Sequence, residues 1–166
     1  MATTSRNLEN PPHLSNYVPA DTNAMGRNFG ILLGILTAVY LLTVNAIFDP
    51  LPLGIRFAKY LIIVAIVWVA VARYAASVPS GEVFKGELSL LWRIGIWSVG
   101  TLALLNIILS SISPALGFEQ FLNEGDSFGD VMMNSFFVAM ETLVMVVIFG
   151  FVFLQYYKRD SGSPED

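Results

Sequence analysis

The sequence predicts an all-α membrane protein, with four transmembrane helices in an antiparallel up-down bundle and both termini in the cytoplasm. Three observations point there. The 166-residue chain is 55% hydrophobic and only 13% charged, where a soluble domain carries about 25% charged residues. Four runs contain no charge: Asn28–Phe48, the stretch between Lys59 and Arg73, Ile94–Phe118 and Thr142–Tyr157. A helix needs roughly 20 largely apolar residues to cross a bilayer core, and each run with its flanks fits one crossing. The basic residues then collect on one side of the resulting topology.

Residues 1–25 read as a flexible or partner-bound tail. Pro11, Pro12 and Pro19 break it, and no apolar segment follows a basic start, so a cleavable signal peptide is not expected. Helix 1 is placed at about 26–48. Asp49-Pro50-Leu51-Pro52 is a compact breaker, and helix 2 follows at about 54–76. A connection this short favours an antiparallel hairpin. Helix 3 is placed at about 88–112. Ser80 is a candidate cap ahead of it, with Glu82 near the positive end of the helix dipole. Phe84, Leu88 and Leu91 recur at helical spacing among Glu82, Lys85 and Glu87. Two readings fit this stretch: an amphipathic lead-in lying at the interface, or simply the first turns of helix 3. Ser113-Pro114 closes helix 3. Asp126 to Asp130 opens helix 4, at about 130–157. Residues 160–166 form a short polar tail. The transmembrane domain thus covers 26–159 and leaves no room for a second globular unit.

Orientation follows from lysine and arginine. With the N-terminus inside, Arg6, Arg27, Arg73, Lys85, Arg93, Lys158 and Arg159 lie on the cytoplasmic side, and only Arg56 and Lys59 lie outside. The positive-inside rule favours this placement. The loop between helices 3 and 4 then faces outward with Glu119, Glu124, Asp126 and Asp130 and no basic residue. Trp92, Tyr156 and Tyr157 fall near the inner interface, where amphipathic rings settle.

Small residues mark packing ridges. Gly26, Gly30, Gly34 and Ala38 recur every four residues along helix 1, and Ala58, Ala65 and Ala72 every seven along helix 2. Such ridges let helix backbones approach closely. Either the two ridges face each other within the bundle, or one of them docks a partner subunit.

Glu141 is the carboxylate set well inside an apolar helix, and an intramembrane ionisable residue is a functional hypothesis by default. It lies 16 residues before Tyr157, as Lys59 lies 14 before Arg73, Asn106 lies 13 after Arg93 and Thr43 lies 16 after Arg27. At the helical rise, all four sit about 20–24 Å from the inner boundary. Thr43, Lys59, Asn106 and Glu141 are therefore expected to form one polar layer, with Glu141 paired to Lys59 or accepting hydrogen bonds from Asn106 and Thr43. Asn45 sits slightly higher. Interhelical glue, a partner- or ligand-facing site, and a proton or ion relay are the three readings of this layer. Lys59 could instead snorkel outward. A relay needs a polar path to both sides, and below the layer only Thr37, Ser98 and Thr101 present themselves.

Other chemistry is weakly signalled. The chain has no cysteine, hence no disulfide, thiolate metal site or thiol nucleophile. Asn123 to Asp130 is acidic but lacks the alternating ligands and terminal glutamate of a calcium loop. His13, the single histidine, lies in the proline-rich tail, so no metal, haem or chlorophyll ligation by a helix-borne histidine is expected. Met132, Met133, Met140 and Met145 read as adaptable packing. The net charge of −4 lies mainly in loops and tails and does not suggest nucleic acid as a partner. No cofactor is expected.

From Arg73 to Gly95, a basic-ended second helix is followed by a turn with Ser80-Gly81, then Phe84, Lys85 and a third helix containing Gly95. With Gly30 and Gly34, this pattern resembles a family of four-helix integral membrane proteins of unknown function common in Bacteroidota. The resemblance covers about Gly26 to Arg159. The turn departs from it: Ser77-Val78-Pro79-Ser80-Gly81 is poorer in Lys, Arg and Gly than is usual in that family. The resemblance implies the four-helix topology and a bacterial inner membrane, and it carries over no activity and no catalytic residue. The expected function is a non-enzymatic accessory or scaffold subunit of a larger inner-membrane complex, in contact with membrane lipids and with partner subunits or copies of itself. The alternative is a small transporter or channel-like homo-oligomer that uses the layer around Glu141.

Overall fold

The computed structural model describes residues 21–48, 53–78, 83–112 and 128–160. These form helices α1 (Thr22–Ile47), α2 (Leu53–Ala75), α3 (Val83–Ile112) and α4 (Phe128–Asp160). All four contain a segment long and apolar enough to cross a membrane. The tails at 1–20 and 161–166, the 49–52 breaker, the Ser80 cap and the acidic 113–127 connection lie outside the described residues.

Local sequence sets the helix ends. Asp21 caps α1: its carboxylate accepts the backbone N–H groups of Asn23 at 2.9 Å and Ala24 at 3.2 Å. These donors would otherwise lack intrahelical partners. The cap moves the start of α1 ahead of the expected position at 26. At the end of α2, Ser77 donates from both its backbone N–H and its hydroxyl to the carbonyl of Tyr74, and Arg73 stands in the last turn, favourable to the dipole. α3 starts at Val83 rather than at 88. Residues 83–88 therefore continue into the long helix as its first turns, and the reading as a separate interfacial lead-in does not hold. No proline or glycine pair interrupts the apolar pattern from Gly86 onward, so nothing forces a bend there.

The tightest seam joins α1 to α3. A methyl carbon added at Gly30 would lie 2.6 Å from Trp97 Cβ and 2.7 Å from the carbonyl oxygen of Ile94. One added at Gly34 would lie 2.7 Å from Thr101 Cβ, and one at Gly26 2.6 Å from Arg93 Cβ. Only glycine permits this approach. The glycine ridge therefore faces α3, and the expectation that it meets the alanine ridge of α2 is corrected. Ala65 is exposed, and Ala58 and Ala72 are half-buried.

Along this seam the residue numbers rise together, 26 with 93, 30 with 97 and 34 with 101. Between α3 and α4 they run in opposition: Leu91 packs at Gly150, Gly95 at Leu143, and Asn106 bonds to Ser135. α2 touches both α1 and α4 and makes little contact with α3.

Two apolar clusters fill the interior. The larger gathers Leu33, Ile63, Val67, Val71, Leu91, Ile94 and Val146; the smaller gathers Ala38, Leu41, Leu102 and Val138. Polar residues mark the boundary on three helices. Thr37 lies between Leu33 and Leu41 on α1, Ser98 between Ile94 and Leu102 on α3, and Thr142 between Val138 and Val146 on α4, and all three are buried. The outer faces carry exposed Leu32, Val39, Leu61, Trp68, Leu104, Val144 and Val152. Contiguous apolar surface of this extent marks a membrane or protein contact.

Candidate functional site

The polar centre is built at one end of the larger cluster, where α2 and α4 meet. Lys59 Nζ donates to Glu141 Oε2 at 2.8 Å. Tyr60 donates its hydroxyl to Glu141 Oε1. Each carboxylate oxygen thus has a donor, and the two donors are consecutive residues of α2. The Lys59 ammonium also stands 5.6 Å from the centroid of the Tyr60 ring, within reach of a cation–π attraction. The lysine side chain is only 4% exposed, whereas that of Glu141 is 25% exposed. Lys59 therefore points inward instead of snorkelling, and the carboxylate keeps one edge at the bundle surface. Nearby, Tyr40 of α1 donates its hydroxyl to the carbonyl of Ile55 and ties α1 to the first turn of α2.

The other residues expected in the layer are placed differently. Asn106 is buried and donates through Nδ2 to Ser135 Oγ, joining α3 to α4. Thr43 is exposed and donates to the carbonyl of Val39 in its own helix, 2.7 Å away. A threonine on an apolar helix surface can satisfy its hydroxyl this way without any neighbour, so Thr43 stands apart from the glutamate. The single expected layer is thereby corrected to two ties, Lys59–Tyr60–Glu141 between α2 and α4, and Asn106–Ser135 between α3 and α4. Thr142 returns its hydroxyl to Val138 at 2.8 Å. Thr101 is half-buried and bonds its own helix at Trp97.

Sequence reasoning missed Tyr60, Ser135 and Glu87. Tyr60 follows Lys59 directly, and an aromatic hydroxyl beside an intramembrane lysine was a usable signal. Glu87 shares a buried stripe with Leu91, Ile94, Ser98 and Leu102, which the 4-3-4-4 spacing displays. Its stretch allows either an interfacial lead-in or the first turns of helix 3, and neither reading singles out Glu87, which is 0% exposed. Among the described residues neither of its oxygens has a hydrogen-bond partner, and the hydroxyls of Thr37 and Ser98 share that condition. Unpaired burial of such groups is costly, so Glu87 is the least expected residue of the interior.

Among the described residues no cluster of three histidine, cysteine or acidic side chains could hold a metal ion. The arrangement around Glu141 can fix helices, hold charge and exchange hydrogen bonds. No nucleophile with an adjacent base accompanies it among the residues described. Comparison with protein-family models, with curated proteins and with solved structures finds no match to this chain.

Proposed function

We propose that the chain is a non-enzymatic accessory or scaffold subunit of a larger complex in a bacterial inner membrane. Its four spans cross alternately and both termini face the cytoplasm. The contact registers support alternation: numbers rise together between α1 and α3 and oppose each other between α3 and α4. The distribution of lysine and arginine supports the orientation, and the resemblance of the Arg73–Gly95 region supports the compartment. One observation carries the scaffold reading. The polar groups around Glu141 are engaged in ties between helices, and the larger apolar cluster fills the interior from there to Glu87. Polar groups bonded from helix to helix around Glu141 favour holding a shape over passing a solute.

Gentle detergent extraction followed by mass spectrometry tests this. Membrane proteins co-purifying in fixed stoichiometry are expected; a homo-oligomer alone sinks the proposal. A reporter fused to the C-terminus tests orientation, and its accessibility from outside overturns it.

A second reading, a small transporter or channel-like homo-oligomer, is favoured by Glu87. Its buried carboxyl, without a partner among the described residues, stands across the apolar cluster from Glu141. Two acidic stations on either side of an apolar cluster are what an alternating carrier of protons needs. Proton flux in proteoliposomes that is lost in both Glu87→Gln and Glu141→Gln supports this reading, and absence of flux in the unaltered protein removes it.

A further inference from the structure

The end of the bundle at which α1 starts presents three guanidinium groups from three helices. Arg27 and Arg73 are exposed, and Arg93 is half-buried. The first turns of α1 place them. Gly26 lets the Arg93 side chain lie across the helix: a methyl carbon there would stand 2.6 Å from Arg93 Cβ and 3.5 Å from Arg93 Cδ. Arg27 is the next residue of α1. On the side of α1 that faces α2, the Arg73 guanidinium stands 5.8 Å from the centroid of the Phe29 ring.

Among the residues whose side chains are described, no carboxylate forms an ion pair with these cations. The ion pair found there is Lys59–Glu141, at the other end of the large apolar cluster. Of the carboxylates described near this end, Asp21 accepts the α1 backbone N–H groups and Glu87 is buried. Arg93 is steadied by one bond, Nε to Ser89 Oγ at 3.2 Å. The two terminal nitrogens of its fork remain for another acceptor, in the geometry that suits a phosphate.

The surface next to these groups is apolar. One turn along α3 from Arg93, Trp97 is 45% exposed, and Trp92 beside it is 55% exposed. A phosphate with acyl chains meets both requirements at once: guanidinium at headgroup level, and indole and aliphatic surface below it. A free anion uses only the first.

We propose that Arg27 and Arg93, flanking the α1–α3 seam, hold the headgroup phosphate of an anionic phospholipid whose acyl chain lies against Trp97. Arg73 adds positive charge from the α2 side of α1. The proposal rests on the bilayer reading of the four spans, and not on which side is cytoplasmic. Basic groups near a membrane surface each raise the affinity for anionic lipid by about fivefold, so the Arg27–Arg93 pair accounts for about thirtyfold.

The test is lipid retention by the purified full chain in mild detergent, read by native mass spectrometry with phosphatidylglycerol and phosphatidylcholine as probes. Retention of phosphatidylglycerol about thirtyfold above phosphatidylcholine is expected. Arg27→Gln with Arg93→Gln should leave a preference of no more than about fivefold, the share of Arg73, and Arg27→Lys with Arg93→Lys, which keeps the charge and guards against a folding defect, should restore most of the preference. Arg56→Gln removes the same charge from the far end of α2 and should lower the preference by no more than about fivefold. Equal retention of both lipids overturns the proposal. So does an Arg56→Gln loss as large as that of the double variant, or displacement of the lipid by an equal concentration of glycerol phosphate. A carbonate wash separates the failures: release of the chain from membranes removes the bilayer reading itself, whereas a membrane-held chain without lipid preference removes only the lipid site.

Discussion

Removing one partner of the Lys59–Glu141 pair should cost far more than removing both. Glu141→Gln removes the carboxylate from an ammonium whose side chain is 4% exposed, the Tyr60 ring 5.6 Å away being among its remaining contacts. Breaking a buried pair from one side costs about 3–5 kcal/mol. The Tyr60 ring beside the ammonium argues for the lower bound, about 3 kcal/mol. Lys59→Met leaves a carboxylate that keeps the Tyr60 hydroxyl, so about 2 kcal/mol is expected. The double variant Lys59→Met/Glu141→Gln contains no stranded charge and should lie within about 1 kcal/mol of the unaltered protein. The coupling is therefore about 4–5 kcal/mol, above the usual range of measured side-chain couplings. Reversible unfolding in mixed detergent micelles, followed by helix content, measures all four species. Single-variant effects that add within about 0.5 kcal/mol refute the reasoning, because they mean that each group finds other compensation. Tyr60→Phe is an internal control and should cost about 1 kcal/mol, the worth of one hydrogen bond.

The remaining expectations use the same assay. Gly30→Leu drives a side chain into the Ile94 carbonyl and Trp97 and should cost about 3 kcal/mol or more, whereas Ala65→Leu, on an exposed face, should stay within about 0.5 kcal/mol; equal effects would place the wrong ridge at the seam. Asn106→Ala should lose about 0.6–2 kcal/mol by cutting the tie to Ser135, and Thr43→Val should be close to neutral because its hydroxyl bonds only its own helix; a larger effect at Thr43 reverses that assignment. Glu87→Leu removes two buried oxygens without partners among the described residues and should stabilise the fold by about 1–3 kcal/mol. Destabilisation by Glu87→Leu instead reveals a partner for the carboxyl.

How much of this was legible depended on which physical scale each feature obeys. Span number and helix type followed from runs of apolar residues, because the bilayer imposes length on every helix alike. The proximity of Lys59 and Glu141 was reachable from depth counting, since both lie on α2 and α4 at similar distances from basic or aromatic anchors. Depth alone does not fix the angle about the helix axis. Thr43 has the right height but an exposed azimuth, and Asn106 turns toward α4 at Ser135. The glycine ridge was visible as a ridge, yet its partner was not, because a small-residue stripe records closeness and carries no address. Chain adjacency suggested α2, and the backbone of α3 occupies the place. Glu87 was hidden by its charge: charged neighbours at 82 and 85 suggested a solvated face, while its spacing from Leu91 and Ile94 belonged to the buried stripe.

The pairing of α1 with α3 has a bearing on how the chain is made. Spans leave the ribosome in order, so the first hairpin, α1 with α2, enters the membrane before the surface that α1 fits best has been synthesised. Until residues 83–112 arrive, the notched side of α1 is lined only by lipid, and the hairpin is a provisional intermediate. The third span then acts as a latch: it closes on α1 and at the same time offers the surface on which the fourth span lands. A chain stopped after Ala75 should accordingly be degraded quickly, and co-expression of a segment starting before Val83 and ending after Asp160 should protect it. Equal lifetimes with and without that segment would show that the hairpin matures alone.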